Sequence, residues 1–377
     1  MDTILYMSFN QDGSCFCLGT QIGFIVYNIS PFKKLCQREL NEEIKIAEIL
    51  RKTNIFALVG NANAYIKESQ MPNDKLIIWD ESQKKKISEL KLDSEILKAK
   101  IKLDKIIAST KDNYLYVIEM VRLKIINIFK IYEYSQGLFA INSGDNIFAI
   151  AFPYRYTGYV KIKKYNSKIN IPNINAHDTN ISFITISSEG NLLATSSEYG
   201  TIIRIFSTHD GQLIQELRRG AKRARIHYIS FDLNNKFLAC SSNSGTIHIF
   251  SIYSSIKFLK EQGIIEDKLD TSNKKNIKGE IIEQPKNQKS FIGSIINVLK
   301  IGISYFESEW SFAQFRLPKS ENEKAIVSFA QTDNTINVLT KSGNLFKASF
   351  EPSLGGECQK IIQINLFEQN KKNNENE

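Results

Sequence analysis

Apolar and polar positions alternate along this chain in short bursts rather than in long periodic stretches. Runs rich in Ile, Val, Phe and Tyr recur throughout, separated by turn clusters such as Asp12-Gly13, Ser188-Glu189-Gly190-Asn191 and Asp210-Gly211. Such runs, bounded by Gly, Asn, Asp and Ser, read as strands. Few segments show a helical period, so the pattern predicts an all-β repeat architecture. The repeat is clearest in the middle. Leu193-Ala194-Thr195-Ser196-Ser197 followed by Gly200-Thr201 matches Leu238-Ala239-Cys240-Ser241-Ser242 followed by Gly245-Thr246, 45 residues on. Ile205-Phe206-Ser207 then matches Ile249-Phe250-Ser251. A period of roughly 40–45 residues with four strands per unit is the signature of a propeller blade.

Leu18-Gly19-Thr20 through Gly23-Phe24-Ile25-Val26-Tyr27 is a weaker copy, and Leu76-Ile77-Ile78-Trp79-Asp80 carries a Trp-Asp dipeptide. These are degenerate WD-type blades. The period breaks between Ile252 and the next strand, Trp310 to Leu317. The intervening stretch opens with a polar run, Lys257 to Ser290, expected to be a disordered loop that contributes nothing to a core. Without this insert about 320 residues remain, enough for seven blades at that repeat length. The expectation is one seven-bladed β-propeller over 1–367, with an insert at 253–309 in blade 6 and a polar tail at 368–377.

Composition narrows the chemistry. Of 377 residues, 42% are hydrophobic, enough for a large core, and the net charge of +9 favours anionic partners: nucleic acid, acidic proteins or anionic lipid. The five cysteines, at 15, 17, 36, 240 and 358, form no CxxC pair and no His/Cys cluster of metal-ligand spacing. They read as small buried thiols of a reducing compartment. The N-terminus lacks the charged and apolar regions of a signal peptide, and Phe291 to Phe306 is too short to span a bilayer. A cytoplasmic protein that visits membranes is expected. No Walker loop, Gly-x-Ser-x-Gly elbow, metal cluster or acid/base pair of carboxylates is present, so neither enzyme chemistry, cofactor nor metal is expected.

Leu217-Arg218-Arg219-Gly220 closes the last strand of one blade and leads to the next. Strand side chains alternate faces, so adjacent arginines serve different pockets: Arg218 should face the preceding blade and Arg219 the following one. Guanidinium forks bind phosphate oxygens bidentately, and Gly220 lets backbone approach a ligand. The pair therefore predicts two anion sites side by side on an exposed rim. Solvated edge arginines that discourage aggregation are the plainer alternative. Upstream stand His177, Thr195, Ser197, Gly200, Thr201 and Arg204; downstream, at equivalent places in the next blade, stand Ser242, Thr246 and His248. This is a donor set suited to a phosphorylated polyol, with no carboxylate required.

At these residues the chain resembles the PROPPINs, phosphoinositide-binding β-propellers of autophagy whose hallmark is Phe-Arg-Arg-Gly or Leu-Arg-Arg-Gly. Further matches are Phe9-Asn10-Gln11-Asp12-Gly13, Lys75 to Trp79, Asn175-Ala176-His177, Gly200 to Ser207, Trp310-Ser311-Phe312-Ala313 and Gly355-Gly356-Glu357-Cys358. The resemblance implies two sites for phosphatidylinositol 3-phosphate or 3,5-bisphosphate. The first would use His177, Thr195, Ser197, Gly200, Thr201, Arg204 and Arg218; the second Arg219, Gly220, Ser242, Thr246 and His248. Autophagy proteins of the lipid-transfer or conjugation machinery are implied partners. Members that recruit the rod-shaped lipid-transfer protein carry a basic residue after a second-blade proline, where this chain reads Met71-Pro72-Asn73-Asp74.

The resemblance also implies a sixth-blade loop that dips into the bilayer. Gly293, Asn297, Lys300 and Ser304 fall on one narrow helical stripe, and Phe291, Ile292, Ile295, Ile296, Leu299, Ile303 and Phe306 occupy the opposite arc, as in an interfacial helix. The expected function is that of a monomeric effector or scaffold, peripheral on autophagosomal, endosomal or vacuolar membranes. Ile-, Asn- and Lys-rich usage suits an AT-biased genome, and in an apicomplexan the plastid membrane would be a further address. A WD-type protein scaffold without lipid binding is the alternative. Nucleic acid is disfavoured, because the basic residues are spread as Lys and the aromatics read as strand core.

Overall fold

The computed structural model describes residues 3–62, 71–165, 167, 171–265, 285–288, 308–321, 323–331 and 334–368. Within them the strands assemble into seven sheets, at 4–39, 44–91, 96–130, 140–175, 181–218, 226–316 and 325–365. Each is an antiparallel meander of strands A to D, in order from the axis outward. Blade 5 gains a parallel fifth strand, Glu309–Trp310, and blade 6 gains Gly356–Glu357. The molecule is the expected seven-bladed β-propeller.

Burial explains the sequence pattern. Strand B is sandwiched between neighbouring blades, so both faces are dry; Cys15–Thr20, Leu192–Ser197 and Phe237–Ser242 are buried throughout. These are the continuous small-and-apolar runs that carried the repeat. Strand D lies at the circumference, and Lys33–Glu39 and Lys124–Lys130 are largely solvated. The core consists of apolar layers between successive blades. Ala149, Ala151 and Val160 of blade 4 meet Ile184, Leu193 and Phe206 of blade 5. Burial of each large side chain in such a layer contributes about 1.5–3 kcal/mol.

The ring closes by the same packing. Ile326, Leu339 and Leu345 of blade 7 meet Phe9, Phe16 and Tyr27 of blade 1. Among the described residues the first blade is built from the consecutive strands of 4–39 alone, and the last from strands of 325–365. The four cysteines Cys15, Cys17, Cys240 and Cys358 are buried thiols, as expected, and Cys36 is half-buried.

Blade 6 departs from the meander. Strand C, Thr246–Ser251, pairs with strand D, Ala313–Arg316, so the 253–309 insert connects two adjacent strands. The polar run expected to be disordered, Lys257 to Ser290, begins inside an ordered element. Tyr253–Glu261 is an α-helix with Leu259 fully buried among Leu217, Ile229 and Ile252. Ile252, Ile256 and Leu259 form its apolar face, and Lys257 and Glu261 lie outward as an i,i+4 ion pair. The membrane-insertion stretch Phe291, Ile292, Ile295, Ile296, Leu299, Ile303 and Phe306 lies outside the described residues. Among the described residues no helix is long and apolar enough to cross a membrane.

Candidate functional site

Strand periodicity sets which way each arginine faces. In blade 5 the register pairs Thr195 with Arg204, Arg204 with Glu216, and Ile202 with Arg218. Residues opposite one another share a face, so Thr195, Arg204, Glu216 and Arg218 stand together with Leu193 and Phe206. Those two apolar residues pack on blade 4. Leu217 turns the other way, onto Leu238 and Cys240 of blade 6. Arg219, one step further, acts electrostatically on Cys240 and His248 of blade 6. The two arginines thus occupy opposite faces of blade 5, Arg218 on the blade 4 side and Arg219 on the blade 6 side.

The expectation of an exposed rim does not hold for these side chains. Arg218 is 3% exposed and Arg219 6%. A buried guanidinium must be hydrogen-bonded, and both are. The Arg218 Nε–H donates to Ser308 Oγ at 2.7 Å. Arg219 donates from Nε to the Gly200 carbonyl at 2.9 Å and from Nη2 to the Lys222 carbonyl. Solvated edge arginines are therefore ruled out.

The first set clusters around a buried imidazole. His177 Nε2 lies 3.0 Å from Thr195 Oγ1. Arg204 donates from Nη1 to the Ala176 carbonyl at 2.7 Å and from Nε to Glu216 Oε2 at 2.8 Å. Burial first, and then the Arg204 charge, depress the His177 pKa to about 4, so the ring is neutral at physiological pH. Gly200 sits at φ 58°, and a Cβ there would strike the Ala224 carbonyl, so the turn requires glycine. Its N–H bonds back to the Ser197 carbonyl, and Thr201 accepts the Arg219 N–H. The structure therefore brings His177, Thr195, Arg204 and Arg218 to one side of blade 5, with Ser197 on the strand face of Thr195, whereas Gly200 and Thr201 meet Arg219 and the start of blade 6. It also adds a carboxylate, Glu216, that sequence reasoning held unnecessary.

The second set is assembled by blade 6. Thr246 lies opposite Arg316 and His248 opposite Gln314 across strands C and D. His248 Nδ1 stands 3.2 Å from Ser311 Oγ, which accepts a 2.9 Å bond from Gln314 Nε2. Burial, then Arg219 and Arg316, lower the His248 pKa to about 4. Ser242 Oγ is within 2.8 Å of Ser244 Oγ. A Cβ at Gly220 would meet no atom within 4 Å, so the fold itself does not require that glycine, and space over the backbone is open.

Sequence reasoning missed three contributors, Ser308, Ser311 and Arg316. All lie on the chain returning from the insert. Its base is clamped beside the sites: Gln215 Nε2 and Asn287 Nδ2 donate to Glu309 Oε2 at 2.8 and 2.6 Å, and Ser255 Oγ donates to Gln215 Oε1 at 2.7 Å. The alternation of Gln314 and Arg316, facing His248 and Thr246, was the available signal. Among the described residues no group of His, Cys, Asp or Glu could hold a metal ion.

This arrangement coincides with a family match. The PROPPIN family model covers residues 3–263. The chain belongs to the PROPPIN family. Its curated relatives include autophagy-related protein 18e of Arabidopsis thaliana, 31% identical over 97% of this chain and 88% of that protein. Autophagy-related protein 18 of Yarrowia lipolytica is 27% identical over 97% of both chains. Among solved structures, Kluyveromyces lactis Hsv2 with complete loop 6CD superposes with a TM-score of 0.72 at 19% identity, covering 97% of this chain and 100% of that one. KlAtg21, solved in complex with the coiled-coil of AgAtg16, gives 0.72 at 24% identity, covering 96% and 99%. At these identities the structures establish the fold alone. PROPPINs are non-enzymatic, autophagy-related propellers for which phosphoinositide binding is the family property.

Proposed function

We propose that this PROPPIN is recruited to membranes by two phosphoinositide headgroups, phosphatidylinositol 3-phosphate or 3,5-bisphosphate, held on the two faces of blade 5, one toward blade 4 and one toward blade 6. The observation that carries the reading is the placement of Arg218 and Arg219 on opposite faces: Arg218 shares its face with Arg204, which acts on the buried neutral His177, and Arg219 acts on the buried neutral His248. His177, Thr195, Ser197, Gly200, Thr201, Arg204 and Arg218 would serve one headgroup. Arg219, Gly220, Ser242, Thr246 and His248 would serve the other. Charge-assisted bonds of this kind contribute about 1.5–3 kcal/mol each, so one headgroup binds weakly. Two on one rigid body raise avidity by about 10²–10⁴. Recruitment then requires a membrane dense in the lipid.

The stretch 291–306 would add an apolar anchor, and the solved assembly of KlAtg21 with a coiled-coil supports an autophagy protein as partner. The functional test is flotation on liposomes containing phosphatidylinositol 3-phosphate. Replacing Arg218 and Arg219 by Thr should abolish it. Because both are buried, a lowered melting temperature is also expected, so the double Arg→Lys variant, which keeps charge but loses the fork, is measured alongside. Full flotation by either folded variant would overturn the two-site reading. Changing Ile295, Ile296 and Leu299 to Ser should weaken flotation while sparing soluble-headgroup affinity.

A further inference from the structure

The propeller axis carries a second basic region, separate from the arginine pair. The A strands of all seven blades line a central channel, and one of its mouths opens into a cavity of about 1000 Å³, at the upper end for small-molecule sites. Lys98 of blade 3, Arg225 and His227 at the start of blade 6, and Lys324 just before blade 7 all line it. These come from opposite sides of the ring, so their cationic groups converge across the opening.

The channel has few counter-charges of its own. Glu48 is engaged deeper, accepting Tyr6 Oη–H at 2.5 Å and the Lys100 ammonium at 2.6 Å. Glu133 and Glu198 stand exposed at the mouth. Among the described residues no ion pair joins either of them to Lys98, Arg225 or Lys324; the carboxylate that acts on Lys98 is Glu48, and it does so less than the neighbouring Lys100. Lys98 rests instead on Phe139, donating to its carbonyl at 2.6 Å with the ammonium 4.9 Å from the ring centroid. We infer that this mouth binds a soluble anion bearing several phosphate groups, such as a free inositol polyphosphate.

The mutual repulsion of these cationic groups fits that role. Burial and then Lys100 lower the Lys98 pKa to about 7. Burial and then Arg225 lower that of Lys324. Burial, Lys324 and Arg225 lower His227 to about 4. A multivalent anion seated between blades 3, 6 and 7 would relieve this repulsion, whereas a monovalent one could meet only one side of the ring. The size of the cavity matches a phosphorylated ring better than a single phosphate.

The probe is inositol hexakisphosphate, titrated calorimetrically into the intact protein, with inorganic phosphate as the single-phosphate comparison. Lys324→Ala and Arg225→Ala should each weaken inositol hexakisphosphate binding about tenfold, the loss of one charge-assisted contact. Arg219→Thr, on the blade 6 side of blade 5, should leave this component intact. Lys98→Met keeps the stem that packs on Phe139 and serves as a second variant should Lys324→Ala prove unfolded by thermal melting. A flotation arm separates the sources of phosphate: channel variants that still float on phosphoinositide liposomes assign the cavity to a soluble anion, and loss of flotation assigns it to a lipid headgroup. The inference is overturned if wild-type protein does not bind the probe, or if Arg218→Thr/Arg219→Thr removes all binding while the channel variants retain it.

Discussion

The two faces of blade 5, one turned to blade 4 and the other to blade 6, use the same residue types but hold them differently. On the blade 4 side, Arg204 is paired with Glu216 and Arg218 is bonded to Ser308, a residue from the far end of the insert. On the blade 6 side, Arg219 is fixed by two backbone carbonyls, and its neighbouring histidine is bonded to Ser311. A phosphate entering the first side must share Arg204 with a carboxylate. One entering the second meets a guanidinium oriented by neutral groups. The difference teaches that equal donor sets need not bind equally: the second side is preorganised for an anion, and the first is tempered by its own acid.

The sharpest way to break this comparison is to remove one arginine at a time. Arg219→Thr should cost the stronger site, about 100-fold in its affinity for soluble phosphatidylinositol 3-phosphate headgroup, from two charge-assisted bonds. Arg218→Thr should cost the weaker one and leave the stronger unchanged. Equal losses, read by calorimetry, would remove the distinction. Next in size is Glu216→Gln. Taking a negative charge from beside Arg204 should strengthen the weaker site about three- to tenfold, an effect that salt should diminish because the pair is partly solvated.

Acid sharpens the comparison through the histidines. Both are held neutral to about pH 4 in the folded protein, whereas an unfolded histidine takes up its proton below about 6.5. Over that window the unfolded state binds more protons, so stability falls as pH drops from about 6.5 to 4. His177→Gln or His248→Gln should flatten the decline by about 2–4 °C in melting temperature. An unchanged slope would mean that neither ring is held neutral by burial. The smallest effects belong to the serines. Ser308→Ala and Ser311→Ala should each weaken their own side less than about tenfold, a neutral hydrogen bond being worth about 0.5–1.5 kcal/mol. If either weakened both sides, the returning strand would act as a single unit.

Much of this architecture was readable because it repeats. Leu193-Ala194-Thr195-Ser196-Ser197 and its copy 45 residues later are strand B of consecutive blades, where burial on both faces tolerates little but small and apolar residues. The opposition of Arg218 and Arg219 was readable because strand geometry leaves adjacent residues no alternative. Glu216 obeys the same period, two residues before Arg218, and was readable but overlooked. Ser308 and Ser311 were not, because an insert separates them from the residues they meet, and the alternation of Gln314 and Arg316 signals a strand without saying which distant strand it returns to. The helix Tyr253–Glu261 was hidden for a related reason: its apolar residues, Ile256 and Leu259, gain meaning only from the blade 5 surface beneath them. Burial of the arginines was equally invisible, since charge in a sequence reads as exposure until neighbours are supplied.

The central claim is that two separate headgroup sites act together on one membrane. Its most direct test is the dependence of liposome binding on the surface density of phosphatidylinositol 3-phosphate at constant total lipid. Two sites predict that wild-type binding rises with about the second power of lipid density at low coverage, and that Arg218→Thr and Arg219→Thr each reduce the dependence to about the first power. A first-power dependence in the wild type, unchanged in either single variant, would contradict the account.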